Sequence, residues 1–395
     1  MNRPRPTEQL LILIITGCFV LQPISTDLYL ASLPHLVSEF GVSMVIVQQT
    51  LSFFTIGFGV TQLISGPLSD RFGRKPMVLA GLATYFIASL ICARAGDIYT
   101  LISGRFLQAI GCCTAIVVCR AIIRDCYSPS EGAQRIARAS NYMGLAVFTG
   151  PIVGALLQDT AGWRAAFYLH TLLSLAVLVF AWRMLQESNR PTNPQAITPL
   201  ALARSYLELC GTRAFWRYAL PGCLSYGTIF VFISGAAFGF IKILGVSTIH
   251  YGYCFSLGCA GYLAGTYLCR KLLPKLGMEK VMTMGSRSML LSGFGFLVCT
   301  LSGIEHWTLL VLFQFGSMFS HGLIFPTTQA GSVAPFPQKA GTAAGLFGAV
   351  SVLGTLLATT LIGINLKATL SPMAILAFVM SLALFLSVRL NRTEN

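Results

Sequence analysis

One carboxylate stands inside an apolar stretch of this chain. Asp27 falls within the first long apolar stretch, whereas the other acidic residues fall in polar segments or at the ends of such stretches. An ionised side chain at the centre of a membrane-spanning helix costs about 2.5–3.5 kcal/mol on insertion scales. Burial favours the neutral form, so proton uptake and release at Asp27 could be coupled to a change of conformation. The alternative is a carboxylate satisfied by the neighbouring hydroxyls of Ser25 and Thr26.

One guanidinium is the natural complement of that carboxylate. Arg105 lies one to two turns into the fourth apolar stretch. Its charge could bias Asp27 toward ionisation or hold water near it. The alternative is an interfacial arginine whose head group snorkels outward. Asp27 and Arg105 are therefore the candidate proton-coupling residues.

A short segment between the second and third apolar stretches combines both charge signs with glycine. Its sequence is GPLSDRFGRK, and its candidate gating residues are Gly66, Asp70, Arg71, Gly73, Arg74 and Lys75. Asp70 can face the positive N-terminus of a neighbouring helix. The basic residues can pair with acids across the two halves of the chain, and the glycines permit a tight turn. In the fifth stretch, Gly150, Pro151 and Gly154 predict a helix kink with close packing.

Polar and aromatic side chains within the apolar stretches are candidates for the lining of a substrate cavity. They are Tyr29, Gln108, Asn141, Tyr142, Tyr226, Phe230, Phe232, Gln314, His321 and Gln329.

The sequence lacks the common motifs of enzyme active sites. No P-loop, HExxH helix or nucleophile elbow is present. Most of the 12 cysteines lie within apolar stretches, no CxxC spacing occurs, and the 5 histidines are scattered. We therefore expect neither an enzyme nor a bound metal or other cofactor.

The composition is that of a membrane protein. Of 395 residues, 55% are hydrophobic and only 10% are charged, against about 25% charged in soluble domains. The formal net charge is +14, but the basic residues are dispersed, without the clustered patch expected of a nucleic-acid binder. A soluble enzyme and a nucleic-acid binder are both poor interpretations.

The apolar stretches predict an all-α polytopic membrane protein with twelve transmembrane helices in two six-helix halves. The predicted spans are 9–30, 45–68, 77–94, 100–123, 135–158, 163–182, 215–243, 251–272, 281–301, 307–330, 341–364 and 371–390. Residues 1–182 form the predicted N-terminal half, 183–214 a cytoplasmic linker and 215–395 the C-terminal half. Within the linker, residues 199–209 could form a short helix on the cytoplasmic face or remain a plain connection.

The basic residues predict the orientation of the spans. Lys and Arg in short loops are retained in the cytoplasm. With both termini inside, the opposite loops hold only Arg94, Arg164, Lys242 and Lys367, and Arg105 and Arg287 lie within spans. The remaining basic residues, Arg120 among them, fall on the cytoplasmic side.

An internal repeat and several motifs identify a family resemblance. The segment 66–75 has a degraded echo in 265–280, with Arg270, Lys271, Gly277 and Lys280, and paired six-helix halves are common in transporters. GPLSDRFGRK resembles the loop signature of the major facilitator superfamily. RFLQAIG at 105–111 and GPIVG at 150–154 are similar to its drug:proton antiporter branch. STDLYLASLP at 25–34, ISG at 233–235, GLIFP at 322–326 and APFP at 334–337 resemble the bicyclomycin-resistance group.

The resemblance implies a proton-coupled secondary transporter that exports drugs or small amphipathic metabolites by alternating access. It also implies a role for Arg105 in proton coupling. An importer of a nutrient or siderophore-type metal chelate would use the same fold and carboxylate, so that alternative stays open. We expect a monomer in the bacterial inner membrane, with small-molecule substrate, protons and lipid as its partners.

The charge bias predicts that both termini are cytoplasmic. Alkaline phosphatase, which is active only in the periplasm, should therefore be inactive when fused after Asn395, and a cytoplasm-dependent fluorescent reporter should be bright there. A phosphatase-active fusion at that position would contradict the predicted orientation.

Overall fold

The computed structural model describes residues 8–127, 129–188, 199–304, 306–365 and 369–390, and this part of the chain is helical without strands. In lipid every backbone N–H and C=O group must find a partner within the protein, which long helices achieve within one segment. The predicted all-α class is therefore confirmed.

The first half of the chain consists of seven helices, of which α2 is a short one. They are α1 (Glu8–Leu30), α2 (Leu33–Glu39), α3 (Met44–Phe72), α4 (Arg74–Ala93), α5 (Ile98–Cys126), α6 (Pro129–Ala161) and α7 (Arg164–Met184). The helix α8 (Pro199–Cys210) follows, so the predicted linker contains a helix. The domain boundaries themselves stay a prediction.

The second half contains five long helices and two short irregular ones. They are α9 (Arg213–Ala237), a π-helical extension (Phe238–Ile243), α10 (Thr248–Leu301), α11 (Trp307–Val333), a 3₁₀ turn (Pro337–Lys339), α12 (Ala340–Asn365) and α13 (Ser371–Leu390). The 54-residue α10 is broken at Gly277, where φ is +77°, so its two arms are separate crossings. α2 and the π-helical extension had no signal in the sequence.

The described residues account for twelve crossings. Ten helices are long and apolar enough to span a membrane. The second arm of α10 adds one crossing, and α6, which packs between α1 and α10, adds another. The even count places both ends of the described chain on one face, here called the terminal face; the other is the opposite face.

A glycine with a positive φ angle joins two pairs of spans at the terminal face. Gly73, between α3 and α4, has φ +96° and ψ 155°. Gly277, at the corresponding place in the second half, has φ +77° and ψ 167°. L-residues with a side chain rarely adopt such φ values. The two glycines therefore repeat one turn geometry, as the sequence repeat predicts.

Two helix pairs join the halves. α3 packs along α12, where Ser52 Oγ lies 3.0 Å from Thr359 Oγ1 and a Cβ at Gly59 would lie 2.8 Å from Val352. α6 packs against the first arm of α10, where Gly252 lies against the backbone of α6. Small residues at both seams permit this close approach.

Polar contacts close both ends of this interface. Near the opposite face, the Gln48 amide donates to the carbonyl oxygen of Ser234 at 2.6 Å. At the terminal face, Tyr206 of α8 donates to the carbonyl oxygen of Leu63 at 2.8 Å. α8 is held to the second half by an ion pair between Glu208 and Lys339, and hydrogen bonding from that lysine lowers the pKa of Glu208.

Arg120 lies deeper in its helix than its assignment to the cytoplasmic side implies. Arg120, assigned to the connecting segments of the basic side, lies inside α5, well over a turn before its end. The predicted span 100–123 already contains position 120, and α5 continues to Cys126.

The packing of α10 against α11 should be sensitive to a single methyl group. A Cβ at Gly265 would overlap the carbonyl oxygen of Phe319, whose backbone cannot easily move, whereas a Cβ at Gly96 meets nothing within 4 Å. Gly265→Ala should destabilise the protein by about 1–3 kcal/mol. Thermal unfolding in detergent should show a lowered midpoint for Gly265→Ala and an unchanged one for Gly96→Ala. Equal midpoints would contradict this packing.

Candidate functional site

Asp27 lies where α1 is approached most closely by α6. A Cβ at Gly150 would lie 3.0 Å from the Asp27 Cβ, and a Cβ at Gly154 would lie 2.5 Å from the carbonyl oxygen of Leu28. Pro151, between these glycines, is inside α6, and its carbonyl oxygen faces Gly252 of α10. The structure thus brings together Asp27 and the GPIVG segment, which the sequence had offered as separate features.

The Asp27 carboxylate has no hydrogen bond or ion pair among the described residues, although it is only 7% exposed. The neighbouring hydroxyls are used elsewhere. Ser25 Oγ donates to the carbonyl oxygen of Leu21 and lies 2.5 Å from the Tyr85 hydroxyl, while Thr26 Oγ1 donates to Gln22. The interpretation of Asp27 as a carboxylate satisfied by Ser25 and Thr26 is therefore wrong.

The charge of Asp27 reaches the second half of the protein. It acts electrostatically on Tyr226 of α9 and on Tyr251 and Cys259 of α10. Tyr226 also lies close to Gln22 of α1. The carboxylate therefore lies at the junction between the halves.

Arg105 is fully buried in an aromatic cage. Its guanidinium carbon lies 4.3 Å from the ring centre of Phe54, 5.1 Å from that of Tyr29 and 5.8 Å from that of Phe167. Such cation–π contacts partly replace the hydration that burial removes. Nη1 donates to Gln108 Oε1 at 2.5 Å, while Nε and Nη2 have no partner.

Gln108 extends this contact into a network that sequence reasoning missed. Its Nε2 donates to Ser89 Oγ at 2.8 Å and to His170 Nδ1 at 3.4 Å. His170 Nε2 in turn donates to the carbonyl oxygen of Ile24 at 3.1 Å. Those two bonds define a neutral imidazole, with its proton on Nε2. The only sequence signal was a histidine inside an apolar span.

The structure does not pair Arg105 with Asp27. Arg105 contacts α1 at the Tyr29 ring, and its network touches α1 again at Ile24, three residues before Asp27. Any influence of Arg105 on the carboxylate passes through α1 rather than through a direct ion pair. Tyr29 and Gln108 have no exposed surface; they surround Arg105 instead of lining an open cavity.

Three of the predicted cavity residues meet in the second half. Tyr226 packs against Phe230 with ring centres 5.2 Å apart, against His321 at 5.6 Å and against Phe325 at 5.3 Å. Tyr262 lies 5.8 Å from His321, whose Nδ1 is 2.8 Å from Ser225 Oγ. We call Tyr226, Phe230, Tyr262, His321 and Phe325 the His321 cluster.

The remaining cavity candidates lie apart from this cluster. Phe232 is fully buried and stacks on Phe296 at 5.6 Å, inside the packing of α9 against α10. The buried Gln314 donates to the carbonyl oxygen of Phe255 at 3.3 Å. Tyr142 is 50% exposed, and Gln329 is half-buried in α11. Asn141 lies in α6, but its side chain falls outside the described residues.

The segment 66–75 forms a charged junction within the first half. Arg74 pairs with Asp70 at 2.6 Å and, through Nε, with Asp125 of α5 at 2.8 Å. The Glu187 carboxylate accepts from the backbone N–H groups of Arg74 and Lys75, at 2.9 and 3.1 Å, and so caps α4.

Gly73 is required at this junction for a second reason, since a Cβ there would lie 2.6 Å from Glu187 Oε2. Arg71 stacks on Phe72, Lys75 Nζ donates to the carbonyl oxygen of Trp182, and Gly66 has open space around it. Among the described ion pairs, those of Arg74 join α3, α4 and α5, which all belong to the first half. They are therefore not the predicted pairs across the two halves.

Twelve crossings in two halves, with an intramembrane acid at their junction, define a polytopic membrane transporter rather than an enzyme. The chain belongs to the major facilitator superfamily, whose family model matches residues 15–359. It is similar to a bicyclomycin resistance protein homolog of Haemophilus influenzae, with 26% identity over 91% of each chain. It is also similar to multidrug resistance protein D of Escherichia coli, with 28% identity over 90% of this chain and 88% of the relative. A chloramphenicol resistance protein of Pseudomonas aeruginosa is 29% identical over 85% and 79%, respectively.

Solved structures share the fold. The human organic anion transporter MFSD10 matches with a TM-score of 0.72 and 18% identity, covering 98% of this chain and all of that one. A D-xylose–proton symporter matches with a TM-score of 0.74 and 16% identity, covering 95% and 97%. The predicted superfamily is thus confirmed, as is the fold in two six-helix halves.

The Arg105 network should depend on Gln108. Leucine at this position cannot accept from the guanidinium or donate to Ser89 and His170, so Gln108→Leu leaves a buried charge without its hydrogen bond. That change should lower the free energy of unfolding by about 1–3 kcal/mol. Thermal unfolding in detergent measures it, with Gln9→Leu at the exposed start of α1 as a matched control. A Gln108→Leu protein as stable as the control would contradict the network.

Proposed function

We propose that this protein is a proton-coupled exporter that exchanges drugs or small amphipathic metabolites for protons by alternating access. The observation that carries the proposal is the Asp27 carboxylate, which lies in a membrane-spanning helix without a partner among the described residues. An intramembrane acid of this kind is expensive and is commonly part of a proton or substrate pathway.

The position of Asp27 suits it to couple titration to conformation. The carboxylate is enclosed by α1 and α6 of the first half and faces α9 and α10 of the second. While the halves enclose it, the neutral acid is the cheaper form. When the halves separate and water enters, the ionised form is stabilised and the proton can leave. Loading and release of a proton then alternate with opening at the two faces.

Arg105 is proposed as a positioning residue in this cycle. Its guanidinium is held by aromatic rings and by Gln108, and the network reaches the α1 backbone at Ile24. Movement of α1 at Asp27 would therefore be transmitted to a buried charge that has few alternative partners. That arrangement supports two discrete positions of α1 rather than a continuum.

Export of amphipathic compounds is the direction that the relatives support. Three relatives are named as bicyclomycin, chloramphenicol or multidrug resistance proteins. Removal of a drug from the cell is a direct route to resistance. In the His321 cluster, Tyr226, Tyr262 and Phe325 are half-buried, whereas His321 and Phe230 are buried behind them. The three half-buried rings supply aromatic surface near Asp27 on which a ring-containing substrate could stack.

The wider arrangement is proposed on the same basis. Residues 1–182 and 215–395 would move as two bodies joined by 183–214, in a monomer whose termini are in the cytoplasm of a bacterial cell. Arg74, bound to Asp70, Asp125 and Ser69, would keep the first half rigid at the cytoplasmic end while the halves separate.

Vesicle orientation separates export from import. In inside-out vesicles with an acidic lumen, a proton antiporter accumulates ethidium in the lumen. A proton-coupled importer would instead accumulate its substrate in right-side-out vesicles placed in an acidic medium. Ethidium accumulation that requires the second arrangement would exclude export.

Asp27→Asn should abolish gradient-driven ethidium accumulation, because the amide keeps the shape of the side chain but cannot titrate. Passive exchange down the substrate gradient should survive. Asp27→Glu should retain part of the activity with a shifted pH dependence, since the displaced carboxyl still binds a proton.

The control is Asp97→Asn, at the exposed N-cap of α5, where asparagine can still accept from Tyr99 N and Thr100 N. This variant should transport like the unmodified protein. Undiminished proton-driven accumulation by Asp27→Asn would overturn the assignment and move the coupling to another group, such as His321.

A further inference from the structure

Arg120 is a charged residue inside a membrane span that the proposed coupling scheme does not use. Its side chain is exposed, and it has no hydrogen bond or ion pair within the described ranges of the chain. Its guanidinium carbon lies 5.5 Å from the centre of the Phe19 ring in α1. Arg105, by contrast, is fully enclosed and held by Gln108.

The side of α5 that carries Arg120 faces the second half of the protein. Arg124 is four residues further on and therefore lies on the same side of the helix. Its Nη1 lies 3.8 Å from where a Cβ at Gly341, at the start of α12, would be. Arg120 is exposed beside the almost fully buried Phe19 of α1, on the side of α5 that faces the start of α12, and we call the space on this side the cleft between the halves.

The two unpaired charges face this cleft at different depths. Phe19, which marks the level of the Arg120 guanidinium, precedes Asp27 by eight residues, which is about 12 Å along α1. Gln22 lies between them in α1 and is close to Tyr226 of the His321 cluster. From the terminal face inward, the cleft therefore presents a cation, an aromatic surface and a carboxylate.

We propose that Arg120 is an anion subsite and that, among amphipathic substrates, elongated aromatic zwitterions bind most tightly. A carboxylate of the substrate would bind Arg120, its ring system would stack on the His321 cluster, and its ammonium group would face Asp27. This inference rests on the proposed transport of amphipathic molecules and specifies their charge pattern.

The physical reason is the cost of a guanidinium without a counter-ion. Arg120 has five N–H donors and a planar fork that fits a carboxylate with two parallel hydrogen bonds. Partial enclosure in the cleft reduces screening by water, which strengthens this contact relative to an exposed ion pair. An ester of the same compound lacks the charge and loses most of that gain.

The test compares norfloxacin with its methyl ester. Norfloxacin carries a piperazinium and a carboxylate at opposite ends of a fused aromatic system, and its ester keeps all but the negative charge. Equilibrium dialysis with purified protein in detergent gives a Kd for each. The unmodified protein should bind the acid about tenfold more tightly than the ester, as expected for one charge-assisted contact. Arg120→Gln should reduce that ratio to about one by weakening the acid alone.

Two further variants separate charge from structure. Arg120→Lys should keep part of the preference for the acid, because the charge remains without the planar fork. Arg389→Gln, at the exposed last turn of α13, should keep the full preference. Equal binding of acid and ester by the unmodified protein, or a preference that survives in Arg120→Gln, would overturn the proposal. Because dialysis uses no gradient, failure of proton coupling in the Asp27 variants would leave this result unaffected.

Discussion

The cost of an ionised group in a medium without water is the constraint on which this structure depends. Only a few charged side chains lie within the spans, and each is treated differently. Arg105 is enclosed by rings and one amide, so its charge is fixed in place. Asp27 can lose its charge by taking up a proton, and it has no partner among the residues that the structure describes. The basic residue is thus a permanent part of the packing, whereas the acid is free to change state.

Charges at the ends of the spans follow the ordinary rules of protein surfaces. At the terminal face Arg74 forms ion pairs with Asp70 and Asp125 and donates a hydrogen bond to Ser69, and Glu187 caps α4. At the opposite face Arg164 pairs with Glu39, and hydrogen bonding from that arginine lowers the pKa of the Glu39 carboxyl. These clusters fix helix ends within a half. The seams between the halves rely instead on small residues and a few polar contacts, which can separate and re-form at low cost.

Hydropathy predicted each of the twelve crossings, because a bilayer demands long apolar helices and the turns at Gly73 and Gly277 carry local signals. It gave no information on which way a side chain faces. An apolar span lacks the polar stripe that marks the outer side of a soluble helix. The sequence therefore predicts Gln108 in the cavity lining and gives no sign that His170 belongs to the same network. Arg120 was counted as a loop charge, because the sequence does not mark where α5 leaves the lipid.

In the proposed transport cycle, the depth of Asp27 determines how the membrane potential acts on the proton. The residue is three positions from the end of α1, which is about 4.5 Å, while most of that helix lies between it and the terminal face. A full crossing at 100 mV is worth about 2.3 kcal/mol per charge. A proton that reaches Asp27 from the opposite face therefore crosses little of the electric field, and its departure toward the terminal face crosses most of it. The electrical work is concentrated in release rather than in loading.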